Sequence, residues 1–269
     1  MPKTLTPPHY QHRIFPTKSL DKIYICVIYS YNQAKGNMMD IIKPAEMLNK
    51  SKSGNFVFAP NGNICHVQIF DKIEMEQCAE MIGNLAQIIG QLPQQEVLLQ
   101  ASASIKSPYE IPENRFVFDV SINSGGGEKD TCYSIGSMFS LAKAKGAIVR
   151  TNTIGRAESA ASMLAIQGTP GYRMMTHNAS IFIHYGRSTR TTTRLDEREE
   201  LDRIDDIKHA QVAELYKTCT RLPEKDIKEY LSIEWKGKLF AQECLDKGLT
   251  DWILTRDGHF ISKKYGRNR

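Results

Sequence analysis

Four apolar runs rich in β-branched and aromatic residues are separated by segments of helical periodicity in the middle of the chain. Behind the second run, for example, Ile135, Met138 and Phe139 recur at the spacing of one helix face. This alternation predicts an α/β fold with a mostly parallel sheet and right-handed crossovers. The runs are ICHVQIF (64–70), FVFDVSI (116–122), AIVRTNTIG (147–155) and SIFIHYG (180–186).

A long charged segment, from Leu195 to about Thr220, predicts one further helix. Its apolar residues form a single narrow stripe, and the helix is longer than a small core requires. Two interpretations fit this spacing equally well: a peripheral packing helix, or an arm used for oligomerisation. The stripe consists of Leu201, Ile204, Ile207, Val212 and Leu215.

The composition is that of an ordinary globular protein, with 41% apolar and 24% charged residues and a mild net charge of +5. We therefore predict no nucleic-acid and no membrane partner, and we predict no metal and no cofactor. The longest strongly apolar run, Ile23 to Ile28, is far shorter than the roughly 20 residues that span a bilayer. The first residues show no secretory signal pattern, so we expect a cytoplasmic protein. The six cysteines form no C-x-x-C pair, which favours reduced, buried thiols.

Three regions differ in character along the chain. Residues 1–60 contain six prolines and one plausible strand, KIYICVIYSY, and are interpreted as an extension of unreadable role. Residues 61–255 carry the alternating pattern and form the predicted main domain. Residues 256–269 form a basic tail, which is more typical of a solvated end than of a nucleic-acid site.

Two short motifs follow the second and third apolar runs. NSGGGE, at 123–128, begins where a strand should end, and its glycines let backbone amides approach a ligand closely. Ser159, in GRAES, stands after the third run and just before a helix, so the amide of Ala160 is free to donate to an oxyanion. We therefore predict that the backbone amides of Gly126 and Ala160 form an oxyanion hole.

His184 lies near the end of the fourth run, at the same edge of the predicted sheet as Ser159. A serine becomes an effective nucleophile when a positioned imidazole takes its proton. The pair predicts acyl-transfer chemistry, with Ser159 as nucleophile and His184 as general base. Taken singly, each feature also has a structural interpretation, as a turn, a helix start or a strand-end histidine.

The order and spacing of these features resemble the Clp protease proteolytic subunit family. The family's INSPGG motif is similar to residues 122–127, where Gly125 replaces the proline, and its GQAAS motif is similar to residues 155–159. From Ser159 to His184 the resemblance needs no gap. That span makes Ser159 the match to the family's nucleophile.

The resemblance continues downstream and covers about residues 62 to 254. The motifs G-x-x-G-x-R and N-S-x-x-x-I-H are similar to residues 168–173 and 178–184, and the ending S-A-x-E-A-x-x-x-G-L-x-D is similar to 240–251. The same alignment disfavours Ser162 as the nucleophile.

The resemblance implies a crotonase-like α/β fold, a repeated β-β-α spiral with a protruding handle helix. The segment 195–220 would be that handle, which favours the oligomerisation arm. It also implies a serine endopeptidase domain at 61–255 that assembles into a homo-oligomeric ring. Peptides or unfolded proteins would be its substrates, and a Clp-type ATPase unfoldase is the partner that the family implies.

The third member of the family's catalytic triad is harder to place. The family has an aspartate ahead of its S-A-x-E-A motif, and no aspartate stands there in this chain. Counting forward from Ile227 reaches Glu234, and counting backward from Ala241 reaches Lys236. We predict Glu234, because a carboxylate must hold the imidazole's tautomer and stabilise its cation. The alternatives are Asp226, or a weaker site without a carboxylate.

The main hypothesis is a serine endopeptidase that acts through an acyl-enzyme. A catalytically silent ring subunit is the first alternative, because the family's aspartate is missing. A crotonase-type acyl-thioester enzyme is the second, since related folds use similar glycine amides for an oxyanion. That second alternative gives the spacing of Ser159 and His184 no purpose.

Overall fold

The predicted alternation of strands and helices is present, and it builds one mixed sheet. The computed structural model describes residues 59–61, 63–97, 105–186, 195–232 and 236–262. The strands are β1 (Ala59–Asn61), β2 (Ile64–Ile73), β3 (Val117–Gly127), β4 (Ile148–Glu158), β5 (Arg173–Thr176), β6 (Ser180–Phe182), β7 (Lys238–Phe240), β8 (Trp252–Leu254) and β9 (Phe260–Ser262). The helices are α1 (Met75–Gln91), α2 (Lys129–Ala144), α3 (Ala160–Ile166), α4 (Leu195–Cys219), α5 (Glu224–Ser232) and α6 (Ala241–Asp246).

The sheet is mostly parallel, as predicted. Its main path is β1-β2-β3-β4-β5-β8-β9, while β6 pairs with β4 and β7 pairs with β6. Strands β2, β3, β4, β5, β6 and β8 make the parallel pairs, and the short β1, β7 and β9 pair antiparallel. Parallel order brings the carboxyl ends of β3, β4 and β6 to one edge, where the predicted site residues lie.

The helices pack their apolar faces on the sheet and cover a continuous core. Helix α1 buries Cys78, Met81 and Leu85 on one face, in line with its predicted periodicity. No helix in the described ranges is long and apolar enough to cross a bilayer. The five cysteines in those ranges are free thiols, and all but Cys219 are buried, as expected. The sixth, Cys26, lies outside the described residues, as does the predicted strand KIYICVIYSY.

Helix α4 is divided between core and surface. Near its carboxyl end Val212 and Tyr216 are buried, whereas Leu201 and Ile207 are 39% and 46% exposed. The predicted stripe is therefore covered only at the end of the helix that packs on α3 and α5. In the first half of the helix, Leu201 and Ile207 face solvent in the isolated chain.

Two local expectations were wrong. Strand β3 does not end before the glycines: Gly126 and Gly127 pair with Lys72 and Ile73, after a bulge at Gly125. Strand β5, at Arg173–Thr176, had not been predicted. It has only four residues, too few to show a strand pattern, and its pairing with β4 and β8 holds it in the sheet.

A partly buried cluster of charged residues lies at the opposite end of the central strands. Burial alone would raise the pKa of Asp119, but hydrogen bonds from His66 and Arg150 outweigh burial and hold this pKa well below its usual range. The Asp119 carboxylate lies 2.8 Å from Arg150 Nε and 3.2 Å from His66 Nδ1. Arg150 also stacks on Tyr109, which ties the segment after residue 105 to the sheet.

Replacing Asp119 with asparagine is expected to lower the free energy of unfolding at pH 7 by about 3 kcal/mol, because Arg150 loses its buried counter-charge. A lowered folded-state pKa stabilises the fold above the ordinary carboxyl pKa of about 4, and this contribution is lost as pH falls below it. Unfolding in urea from pH 7 to pH 3 should therefore show a steeper loss for the wild type than for Asp119→Asn. Equal slopes would contradict this assignment. Exposed Asp206→Asn is the control.

Candidate active site

Ser159 occupies the single residue between β4 and α3. The strand ends at Glu158 and the helix starts at Ala160, so the whole change of direction falls on Ser159, which has φ 54° and ψ −125°. This conformation is rare for a residue with a side chain and costs about 1–3 kcal/mol. The Ser159 hydroxyl makes no capping hydrogen bond to α3 within the described structure, although serine usually makes one at a helix start. The side chain is half-buried.

His184 lies beside this turn because β6 pairs with the end of β4. Glu158 is opposite Phe182 in the parallel register, and the Ser159 amide donates to the Phe182 carbonyl oxygen at 2.9 Å. His184 follows two residues later and stacks its half-buried ring on Phe182, with ring centroids 4.8 Å apart. The structure thus brings the predicted nucleophile and the predicted base to the same sheet edge.

Gly126 packs directly against the nucleophile. Its φ is +93°, and a Cβ at this position would lie 2.7 Å from Ser159 Cβ, 2.5 Å from the Glu158 carbonyl oxygen and 3.0 Å from the Ala160 nitrogen. Only glycine allows this approach. The two amides predicted to bind an oxyanion, those of Gly126 and Ala160, are therefore neighbours at Ser159.

The Gly126 amide has a hydrogen-bond acceptor within its own strand. It donates to Ser124 Oγ at 3.0 Å, and the buried Ser124 hydroxyl in turn donates to the carbonyl oxygen of Asp71 in β2, opposite the bulge at Gly125 of β3. Asp71 itself has φ 60°. The orientation of this amide thus depends on Ser124, which sequence reasoning did not single out.

A charged rim surrounds the turn. Glu158, the residue before Ser159, lies 3.6 Å from Arg156 and 3.3 Å from Lys238 of β7. The Arg156 guanidinium covers Gly125, since a Cβ on that glycine would lie 3.6 Å from it. Approach to Ser159 therefore passes charges of both signs.

Glu234, which is predicted to orient His184, lies outside the described residues. Three residues further along, the Gly237 carbonyl oxygen accepts a hydrogen bond from the Ile183 amide at 2.8 Å, next to His184. The two other positions considered for this role, Lys236 and Asp226, each form a salt bridge. Lys236 lies 2.5 Å from Glu229, and Asp226 lies 2.8 Å from Lys247.

Ser162, the serine that the sequence disfavours as nucleophile, is fully buried. Its hydroxyl donates to the Ser159 carbonyl oxygen and contacts Tyr216 Oη of α4. Sequence reasoning missed this pair. The available signal was an aromatic residue four positions after Val212, on the buried face of α4.

Comparison with known proteins finds a matching family model and a relative. A model of the Clp protease family matches residues 113–257, a range that contains Gly126, Ser159, His184 and Glu234. The chain is also 32% identical over 140 residues to the ATP-dependent Clp protease proteolytic subunit 2 of Streptomyces coelicolor. That alignment covers 51% of this chain and 60% of the relative, so the chain spans about 60% of the relative's length.

Proposed function

This chain belongs to the Clp protease family, and we propose that it is a serine endopeptidase that cleaves peptide bonds through an acyl-enzyme. Ser159 Oγ attacks the scissile carbonyl while His184 takes its proton and delivers it to the leaving amine. Water then hydrolyses the ester by the same route in reverse. The observation that carries the proposal is the meeting of Ser159, Gly126, Ala160 and the His184 strand at one sheet edge.

The mixed sheet with its flanking helices is consistent with the crotonase-like fold of this family. In that arrangement the oxyanion of the tetrahedral intermediate would bind between the amides of Gly126 and Ala160. The Gly126 amide donates to Ser124 in the present structure. In the proposed mechanism it exchanges that acceptor for the oxyanion, a stronger, charged acceptor.

Glu234 is the residue we propose to orient His184. It precedes the Gly237 carbonyl oxygen that is bonded to the strand of His184, and Asp226 already pairs with Lys247. Replacing Glu234 with glutamine should lower kcat by up to about 10⁴-fold, the loss seen when such a carboxylate becomes an amide. Asp226→Asn should change kcat less than about threefold, since it removes only a salt bridge at a distance from the reaction. Steady-state hydrolysis of a peptide ester measures kcat for both variants. A larger loss in Asp226→Asn than in Glu234→Gln would assign the orienting role to Asp226.

We further propose that the protein forms a homo-oligomeric ring, that peptides or unfolded proteins are its substrates, and that a Clp-type ATPase supplies them. The exposed apolar residues in the first half of α4, Leu201 and Ile207, support its role as an oligomerisation arm. The native mass of the purified protein, measured with and without such an ATPase, tests the ring and the ATPase partner.

The function itself is tested with a fluorophosphonate probe, which forms a covalent phosphonate ester with an activated serine and releases fluoride. We expect mass spectrometry to place the adduct on Ser159, and labelling to be lost in Ser159→Ala and strongly slowed in His184→Ala. The exposed Ser137→Ala variant should label like the wild type. An assembled wild-type protein that takes no label would instead support the catalytically silent ring subunit.

A further inference from the structure

A buried chain of hydroxyl groups runs from helix α4 to the peptide bond behind the nucleophile. Ser162 Oγ lies 2.5 Å from the Ser159 carbonyl oxygen and 2.5 Å from Tyr216 Oη. A carbonyl oxygen only accepts, so the single proton of Ser162 is used on Ser159. Tyr216 must therefore donate to Ser162, and the order is Tyr216 to Ser162 to the Ser159 carbonyl.

Because these hydroxyl groups are buried, their hydrogen bonds run in one direction only. Ser162 is completely buried and Tyr216 is 1% exposed, so water does not compete for either hydroxyl. Burial also raises the pKa of Tyr216, which keeps the phenol protonated and able to donate. Linked hydrogen bonds in such surroundings polarise and strengthen one another.

The peptide bond between Ser159 and Ala160 is planar and trans, so its carbonyl oxygen and its N–H point in opposite directions. Two donors hold that carbonyl: Ser162 Oγ and the Ser162 backbone amide, the latter at 3.0 Å. Whatever fixes the carbonyl therefore also fixes the direction of the Ala160 N–H. That N–H lies beside Gly126, at the predicted oxyanion hole.

We propose that Ser162 and Tyr216 are positioning residues for the Ala160 amide, and that they act on the transition state without touching the substrate. The inference rests on the proposed peptidase function. Cys132 of α2 assists from the other side, because its thiol donates to the Ala160 carbonyl oxygen at 2.9 Å and holds the next peptide bond. A strained turn such as that at Ser159 persists only where the surrounding structure holds it.

The test compares Ser162→Ala, Tyr216→Phe and the double variant in kcat and KM for a small peptide ester. Removing one oxyanion donor outright costs about 10²–10³-fold in kcat. Loss of positioning should cost part of that, about tenfold for Ser162→Ala and about threefold for Tyr216→Phe, with KM unchanged. Because Tyr216 acts through Ser162, the double variant should be no slower than Ser162→Ala. Affinity for a peptide boronate, which forms a tetrahedral adduct, should fall in parallel with kcat.

Tyr133→Phe is the matched control, since Tyr133 Oη is buried and has no hydrogen-bond partner in the described part of the chain. It should leave kcat unchanged. Folded variants with lowered Tm but wild-type kcat and boronate affinity would overturn the proposal and leave the peptidase function intact. Multiplying effects in the double variant would also overturn it. If Ser162→Ala does not fold, Tyr216→Phe alone decides. A wild-type protein that takes no fluorophosphonate label refutes the function and this inference together.

Discussion

Replacing Ser159 with glycine is expected to abolish hydrolysis and at the same time to stabilise the protein relative to Ser159→Ala. Both variants lose the nucleophile, so kcat should fall by about 10⁵–10⁶-fold in each. They differ in the backbone, because φ 54° and ψ −125° are strained for alanine and accessible to glycine. We expect the glycine variant to have a free energy of unfolding about 1 kcal/mol higher than the alanine variant.

Urea unfolding of the two variants measures that difference, and hydrolysis of a peptide ester measures kcat. The control is the same pair of substitutions at Ser137, which is exposed on α2. There Ser137→Gly should have a lower free energy of unfolding than Ser137→Ala. In the interior of a helix glycine is less stable than alanine by about 1 kcal/mol. Equal stabilities at position 159 would show that the turn stores no strain. Residual peptidase activity in both variants would refute Ser159 as the nucleophile.

The second large effect is expected at Gly237, the residue before β7, whose carbonyl oxygen accepts from the Ile183 amide next to His184. A Cβ at Gly237 would overlap the Ile183 carbonyl oxygen, which is backbone and cannot swing away. Gly237→Ala must therefore displace the Lys236–Lys238 segment and weaken the Ile183 to Gly237 hydrogen bond. We expect a loss of about 3 kcal/mol in the free energy of unfolding. A shift of about 1 Å at His184 should lower kcat by about 100-fold.

Thermal unfolding and peptide-ester kinetics of purified Gly237→Ala test this expectation. Gly83 in α1 is the matched control, because a Cβ there meets no atom within 4 Å. Gly83→Ala should be active and more stable by about 0.5–1 kcal/mol, since alanine is the better helix former. A Gly237→Ala protein with wild-type stability and kcat would mean that β7 does not hold His184 in place.

Local patterns predicted most of the architecture, because strand and helix periodicities follow from steric rules within a few residues. Helix α4 runs from Leu195 to Cys219, within one residue of its expected end. The short β5 escaped prediction, since four residues are too few to show a period and Arg173 is an unusual residue to bury. Its side chain is buried because it pairs with Asp251, 78 positions away, at 2.6 Å.

The candidate site, like the fold, was predicted only in part from the sequence. Motif order along the chain was enough to select Ser159, His184, Gly126 and Ala160, and the structure places Gly126 and Ala160 in contact with the turn at Ser159. No pattern indicated that Ser124 would hold the Gly126 amide, because that role depends on a bulge at Gly125 in β3. The residue that orients His184 stays a prediction, since Glu234 lies outside the described residues.

The sequence by itself determined the alternation of elements, the order of the chemical groups along the chain and the glycines that permit close approach. These depend on local steric preferences and on spacing, which a linear chain carries directly. Only the tertiary structure decided that Tyr216 reaches Ser162 and that Gly237 bonds to Ile183. Such partners are 54 residues apart in each pair, and hydrogen bonds between distant segments form only when packing brings donor and acceptor together in a buried, water-free place.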